Sequence, residues 1–225
     1  MRHIEAVIFD LDGVIVDTIE YHYQSWCMLG EEEGITFTRE ENDKIRGLSR
    51  EDSLRAFLGD RHLDDVEFKS WLKRKNAFYH QQLVQMQPDH TLPGVRDIMR
   101  QARELGLKLA VGSASRNAKI ILEKLQLTDQ FDAIGDGNIV VNKKPAPDIF
   151  LWTAGAIGLN PLHCLVLEDG AAGVDAAHAG GFPVVGLGHA GVDQADVVLD
   201  DLANITLTEI INRLPDVSAK HKLIG

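Results

Sequence analysis

Asp10 and Asp12 stand two residues apart in Val7-Ile8-Phe9-Asp10-Leu11-Asp12-Gly13-Val14, directly after a short apolar run. Two further polar groups hold the same kind of position, and a third lies between them. Ser113-Ala114-Ser115-Arg116-Asn117 follows the run 109–112, and Glu168-Asp169-Gly170 follows the run 165–167. Lys143-Lys144-Pro145-Ala146-Pro147-Asp148 lies between those two, just ahead of a helical pattern. Gathered at one edge, these residues place carboxylates, a small hydroxyl and an ammonium together. Carboxylates so close repel unless a cation joins them. Mg²⁺ takes oxygen ligands, keeps some water and completes its shell with phosphate. Ser113 and the amides near it suit phosphate oxygens, and Lys144 suits neutralising a phosphate or a carboxylate. Such a set performs phosphoryl transfer, with an Asp as nucleophile forming an aspartyl-phosphate. Taken singly, each group has a plain structural explanation as a turn residue, a strand exit or a solvated lysine. The four together, in this order, carry the functional reading.

The elements that must position them follow from pattern. Residues 6–9 are long enough for a buried parallel strand and too short for a helix. Ligands of an open parallel sheet bind where the strands end. Asp17-Thr18 offers an N-cap for a helix over 19–33 that Gly34 ends. Thr38 with Glu41 and Ser49 with Asp52 are two more helix entries, and a longer helical pattern covers about 66–86, with Phe68, Trp71, Leu72, Phe78 and Leu83 as its apolar members. No strand is expected between 19 and 86. From Leu92-Pro93-Gly94 onward the rhythm alternates. Helices are expected over 95–105, 117–125, 147–158 and 174–179, and strands over 109–112, 131–134, 164–167, 183–187 and 197–199. Alternation of this kind means right-handed βαβ crossovers. The predicted fold is a doubly wound α/β core with a parallel sheet, formed by 1–17 and 88–225, carrying an inserted helical domain over 18–87. Residues 215–225 read as a frayed tail.

Bulk properties narrow the partners. The 225 residues are 44% hydrophobic and 25% charged, ordinary values for a globular protein. A net charge of −11 argues against a nucleic-acid or anionic-membrane surface. No run approaches the roughly 18 apolar residues of a membrane span, and the first residues do not read as a signal peptide. Cys27 and Cys164 are the two cysteines, expected as buried free thiols. The expectation is a cytoplasmic monomer acting on a small molecule.

These residues resemble the haloacid dehalogenase superfamily of phosphotransferases, and within it the β-phosphoglucomutases. The core motifs Asp10-Leu11-Asp12-Gly13-Val14, Ser113, Lys144 and Glu168-Asp169 carry the first likeness, and the helical insertion falls where that superfamily places its cap. The narrower likeness rests on Asp17-Thr18-Ile19-Glu20-Tyr21-His22 with Trp26, on Arg46-Gly47-Leu48-Ser49-Arg50-Glu51-Asp52-Ser53-Leu54, on Lys73-Arg74-Lys75-Asn76 and on Ser113-Ala114-Ser115-Arg116-Asn117. The resemblance implies Asp10 as nucleophile and Asp12 as general acid/base. It implies Mg²⁺ held by Asp10, Glu168, Asp169 and the backbone carbonyl of Asp12, and the transferring phosphoryl group held by Ser113, Ala114 and Lys144. It implies that Arg50, Ser115, Arg116 and Asn117 hold the other phosphate, with Thr18, His22, Trp26, Arg46, Gly47, Ser53 and Lys75 completing the substrate contacts. Two residues depart from the family pattern. Arg46 stands where Lys is usual, in a pairing with His22 that links cap closure to Asp12, and Arg cannot release a proton. Arg116 replaces another common Lys, a milder change.

The activity implied is isomerisation of β-D-glucose 1-phosphate to glucose 6-phosphate through glucose 1,6-bisphosphate, with a sugar phosphate as partner. Free Asp has a pKa of about 3.9, so Asp12 must be lifted by its surroundings to act as an acid near neutrality. The alternative is a sugar-phosphate phosphatase, in which water attacks the same aspartyl-phosphate. A phosphorylated receiver domain fits less well, because it has no inserted cap and about half this length. A dinucleotide-binding domain fits least, since Gly170-Ala171-Ala172-Gly173 is not G-x-G-x-x-G.

Overall fold

The computed structural model describes residues 2–45, 48–188 and 191–215. The expectations for Arg46, Gly47 and all but the first residue of the tail lie outside the described residues. The chain divides into two compact units, Met1–Asp17 with Pro88–Gly225, and Thr18–Gln87.

The first unit is built on β1 (Ala6–Phe9), which takes the centre of a six-stranded sheet with β2 (Lys108–Gly112), β3 (Ala133–Gly135), β4 (Cys164–Glu168), β5 (Val184–Leu187) and β6 (Val197–Leu199). All pairings are parallel, in the order β3-β2-β1-β4-β5-β6. The order reverses at β1 and β4, which makes that point the ligand-binding crevice of a doubly wound sheet. The placement follows hydrophobicity. All four β1 residues are at 0% exposure, whereas Val198 of the outer strand β6 is 44% exposed. Each buried Val, Ile, Leu or Phe contributes about 1.5–3 kcal/mol, so the most continuous apolar strand belongs in the middle. On one face, α7 (Asp148–Ala156) and α8 (Ala171–Ala179) cover Ala6, Ile8, Ala110, Cys164, Val166 and Val184. The alternating residues Val7, Phe9, Leu109, Val111, Leu165 and Leu167 are also fully buried, as period-two strands between two helical layers require. The remaining helices of this unit are α5 (Val95–Glu104), α6 (Ala118–Lys124) and α9 (Leu207–Arg213). The segments leading out of and back into the unit run side by side, with an antiparallel bridge between Val16 and Thr91 and a bond from Leu92 N–H to the Ile15 carbonyl, 2.8 Å.

The regular elements among the second unit's described residues are helices: α1 (Ile19–Glu33), α2 (Arg39–Ile45), α3 (Arg50–Leu58) and α4 (Asp65–Leu83). Ser49 caps α3 by accepting from Asp52 N–H at 3.1 Å, and Thr38 and Glu41 bond reciprocally at the start of α2. Its core joins Trp26, Leu29, Phe37, Leu54, Phe57 and Trp71.

Several elements differ from expectation for identifiable reasons. Thr18 occupies the N-cap position of α1 without a side-chain capping bond. The long helix stops at Leu83, where Val84, Gln85 and Met86 donate to carbonyls three residues back and tighten the end. α8 starts at Ala171, three residues early, because glycines at 170 and 173 dilute its helical signal. α9 was not expected at all, although Thr206 and Glu209 form a capping box ahead of it. Cys27 is half-buried rather than buried, its thiol facing the Phe37 carbonyl at 3.7 Å; both cysteines are free.

Candidate active site

Register brings the carboxylates of the first unit together. Phe9 pairs with Leu167 on one side and Val111 on the other. Asp10 N–H continues the ladder onto the Leu167 carbonyl at 2.9 Å. One step past those pairs, Asp10 comes beside Glu168, and the β2 exit leads to Ser113. Apolar strands of matched length thus deliver polar exits to one edge. Asp10, Glu168 and Asp169 have carboxylate oxygens within 4.8 Å of one another. Lys144 reaches them from the loop before α7, bonding Asp10 Oδ1 and, at 2.7 Å, Glu168 Oε2, while its Nζ lies 4.6 Å from the Phe150 ring centroid.

The cluster is nearly dry. Asp10 and Glu168 are buried, and the Lys144 side chain is 9% exposed. Burial works against the Lys144 charge, but Asp10 and Glu168 outweigh it and hold the ammonium above the usual lysine range. Glu168 shifts the other way for a carboxylate. Burial, with Asp10 and Asp169 repelling a further negative charge, pushes it up to about 8 against the pull of Lys144. Lys144 bonds two of the three carboxylates, and Glu168 keeps its proton near neutrality. An all-oxygen donor set of this kind fits a hard divalent cation such as Mg²⁺. Two glycines keep the space for these carboxylates. A Cβ on Gly13, whose φ is +82°, would fall 1.9 Å from Asp169 Oδ2, and one on Gly173 would fall 1.9 Å from Glu168 Cδ.

Ser113 is fully buried, and its Oγ accepts from Ser115 N–H at 3.0 Å. Ser115 Oγ accepts in turn from Asn117 N–H at 3.2 Å. These two side-chain turns compact the loop, leaving Ala114 and Arg116 exposed and Asn117 buried. Asn138 supports the loop by donating to the Arg116 carbonyl at 3.2 Å, a contact with no signal beyond the turn composition of Asp136-Gly137-Asn138. Asp12 is half-buried, just after the cluster, and bridges to Val16.

The helical unit holds a second set. Thr18, at the N-cap position, and His22 of α1 lie one turn apart, with His22 N–H donating to the Thr18 carbonyl at 3.0 Å, and Trp26 follows a turn later. Lys75 of α4 is buried, its Nζ 2.7 Å from His22 Nδ1 and 4.9 Å from the Trp26 ring centroid. Tyr79, one turn beyond Lys75, stacks on His22 with centroids 4.3 Å apart and lies 5.1 Å from the same ammonium. Desolvation, with Lys75 and Arg50 adding repulsion, holds His22 well below the ordinary histidine range, so its imidazole is neutral. Tyr79 escaped the sequence reading; its i+4 spacing from Lys75 was the available signal. Ser53 is buried on α3 and Arg50 half-buried at its start.

A carboxylate-lysine cluster at the switch point of a doubly wound sheet, with a helical insertion after the first strand, defines a class. The chain belongs to the haloacid dehalogenase-like hydrolase family, whose model matches residues 4–181. Within it, the chain is similar to β-phosphoglucomutases: 36% identical over 208 residues to the enzyme of Bacillus subtilis, covering 90% of this chain and 92% of that one. The crystal structure of a β-phosphoglucomutase from Clostridium difficile superposes with a TM-score of 0.86 at 31% identity, over 99% of this chain and 100% of the other. A phosphorylated carbohydrates phosphatase of Thermotoga maritima is 28% identical over 95% of this chain and 99% of its own. The protein is therefore an enzyme of this family, and among the described residues no helix is long and apolar enough to cross a membrane.

Proposed function

We propose that this enzyme is a Mg²⁺-dependent β-phosphoglucomutase, interconverting β-D-glucose 1-phosphate and glucose 6-phosphate through glucose 1,6-bisphosphate and an aspartyl-phosphate on Asp10. The observation that carries the phosphoryl chemistry is Lys144 set between Asp10 and Glu168. Lys144 orients Asp10 by a charge-assisted bond, so an oxygen of that carboxylate is placed to attack phosphorus. In one half-reaction, phospho-Asp10 passes its phosphoryl group to the sugar 6-hydroxyl while Asp12 takes the hydroxyl proton. In the other, Asp10 attacks the phosphorus at C1, the bond from phosphorus to the C1 oxygen breaks, and Asp12 returns its proton to that oxygen. Asp10, Glu168, Asp169 and the Asp12 carbonyl would hold Mg²⁺, which supplies neutralisation of phosphoryl charge. Ser113, the Ala114 amide and Lys144 would bind the transferring group. Arg50, Ser115, Arg116 and Asn117 would bind the second phosphate, with Thr18, His22, Trp26, Ser53 and Lys75 shaping the contacts to the sugar phosphate.

The choice of mutase rests on the likeness to two β-phosphoglucomutases over nearly their full lengths. A phosphatase is the second reading, favoured by the Thermotoga relative. One assay separates them: β-D-glucose 1-phosphate with Mg²⁺, with and without a glucose 1,6-bisphosphate primer. The mutase forms glucose 6-phosphate in a primer-dependent way without releasing stoichiometric phosphate; primer-independent phosphate release would make it a phosphatase. Arg50→Ala sharpens the test. A guanidinium holding the far phosphate favours sugar over water as acceptor, so its loss should cut mutase turnover by about a hundredfold. Hydrolysis of acetyl phosphate, which has no far phosphate, should fall much less.

A further inference from the structure

The opposite end of β1 carries a group of side chains that phosphoryl transfer does not use. Glu5 precedes β1, and its N–H donates to the His163 carbonyl at 2.8 Å, extending the β1–β4 ladder backward by one residue from the Ala6–Cys164 pair. Neighbours in parallel register project to the same side, so Glu5 and His163 meet. His3, two residues before Glu5, returns to that side. His163 is further fixed as the last residue of a single turn, Pro161–His163, that Asn160 caps. His163 Nδ1 contacts Glu5 Oε1, and His3 Nε2 lies 3.5 Å from the same oxygen. The two imidazoles stand edge to face, centroids 5.1 Å apart. One ligand atom from each of the three residues lies within 4.8 Å of the others.

We propose that His3, Glu5 and His163 form a second metal site, for a borderline first-row dication of which Zn²⁺ is the type. The donor set separates it from the catalytic edge: two imidazole nitrogens and one carboxylate suit Zn²⁺, Co²⁺ or Ni²⁺, whereas Mg²⁺ prefers oxygen alone. Zn–N and Zn–O bonds of about 2.0–2.1 Å put tetrahedral ligands about 3.4 Å apart, close to the 3.5 Å between His3 and Glu5. The closer Glu5–His163 contact must open to admit the ion, which a rotation of the half-exposed Glu5 and His163 side chains allows. The ion would replace the direct contact between Glu5 and His163 and take water in its fourth position. Cys164 is not a ligand. It is fully buried, and burial, with the charge of Glu5 adding, pushes its thiol up to about 12. Bound metal would tie the N-terminal segment to the turn before β4, stabilising the folded chain by mass action.

The test uses the whole protein in excess Mg²⁺, which occupies the all-oxygen cluster, and titrates Zn²⁺ alone against a chromophoric chelator, with Co²⁺ as spectroscopic probe. The wild type should take up about one equivalent of Zn²⁺, gain melting temperature, and give with Co²⁺ the intense visible bands of four-coordination. His3→Ala should weaken binding by more than about tenfold and remove the thermal gain; so should His163→Ala and Glu5→Gln. His3 is 74% exposed, so its variant folds normally and should retain wild-type phosphoryl transfer. Zn²⁺ uptake unchanged in His3→Ala, uptake lost only in Asp169→Ala, or a Co²⁺ spectrum of six-coordination alone would each overturn the proposal.

Discussion

Each unit of this protein takes a lysine out of water, and the two are held in opposite ways. Lys144 in the α/β unit is gripped by two carboxylates, Asp10 and Glu168. Lys75 in the helical unit has a neutral imidazole, His22, at 2.7 Å and the faces of Trp26 and Tyr79 around its ammonium. The first environment is short of positive charge: three carboxylates lie together with one ammonium on two of them, and a divalent cation would relieve the imbalance. The second uses quadrupoles and a lone pair, and transfers its strain to His22, whose protonation the lysine suppresses. The same residue type thus marks a carboxylate-rich edge in one unit and a buried, aromatic-lined ammonium in the other.

The sharpest break of the α/β arrangement is Asp10→Asn. An amide cannot attack phosphorus, and turnover should fall by more than about a thousandfold. A residual rate above that, measured with Mg²⁺ and primer, would remove Asp10 as nucleophile. Lys144→Ala comes next. Removing the partner of buried carboxylates should cost about 3–5 kcal/mol of stability in the metal-free protein. Urea unfolding should show the loss, and added Mg²⁺ should recover part of it.

Lys75→Met tests the helical counterpart and should do less damage, because the thioether keeps the stem's packing and removes only a charge. Its signature is in the pH dependence. His22 in the folded chain lies well below its unfolded value of about 6.5, so the unfolded state binds the extra proton and stability declines as pH falls below that value. Lys75→Met removes one cause of the depression, so the decline between pH 7.5 and 5.5 should shrink. Equal declines in both proteins would assign the shift to desolvation and Arg50 without Lys75. The smallest effect expected is a count of protons. Glu168 carries its proton up to about pH 8 without metal, and Mg²⁺ needs the carboxylate. Binding at pH 7 should therefore release protons, binding at pH 9 almost none, and affinity should rise with pH across that interval. Calorimetry in two buffers of different ionisation enthalpy measures this directly.

Asp10, Ser113, Glu168 and Asp169 were legible as a group because they follow apolar runs, and a parallel sheet of such runs aligns their ends. Period-two burial and chain order suffice for that inference. The turn chemistry of Ser49 and of Thr38 with Glu41 was legible for a similar reason, since a cap is a local bond. Tyr79 and the burial of Lys75 were not. On α4 the face toward α1 is marked by Trp71, Lys75, Tyr79 and Leu83, and a lysine in such a stripe reads as solvent-facing until aromatic rings are found around it. The N-terminal cluster lay further from view, because Glu5 and His163 are 158 positions apart.

The sequence by itself determined the fold class, the helical insertion and the family, because these depend on periodicity, local capping and short motifs that survive without coordinates. Tertiary structure decided the charge states and the meetings. Whether Glu168 keeps a proton, whether His22 is neutral, and whether His3 finds Glu5 and His163 depend on dielectric and strand register. Both are set only when distant segments pack, and a one-residue slip of β1 against β4 would have erased the last of them.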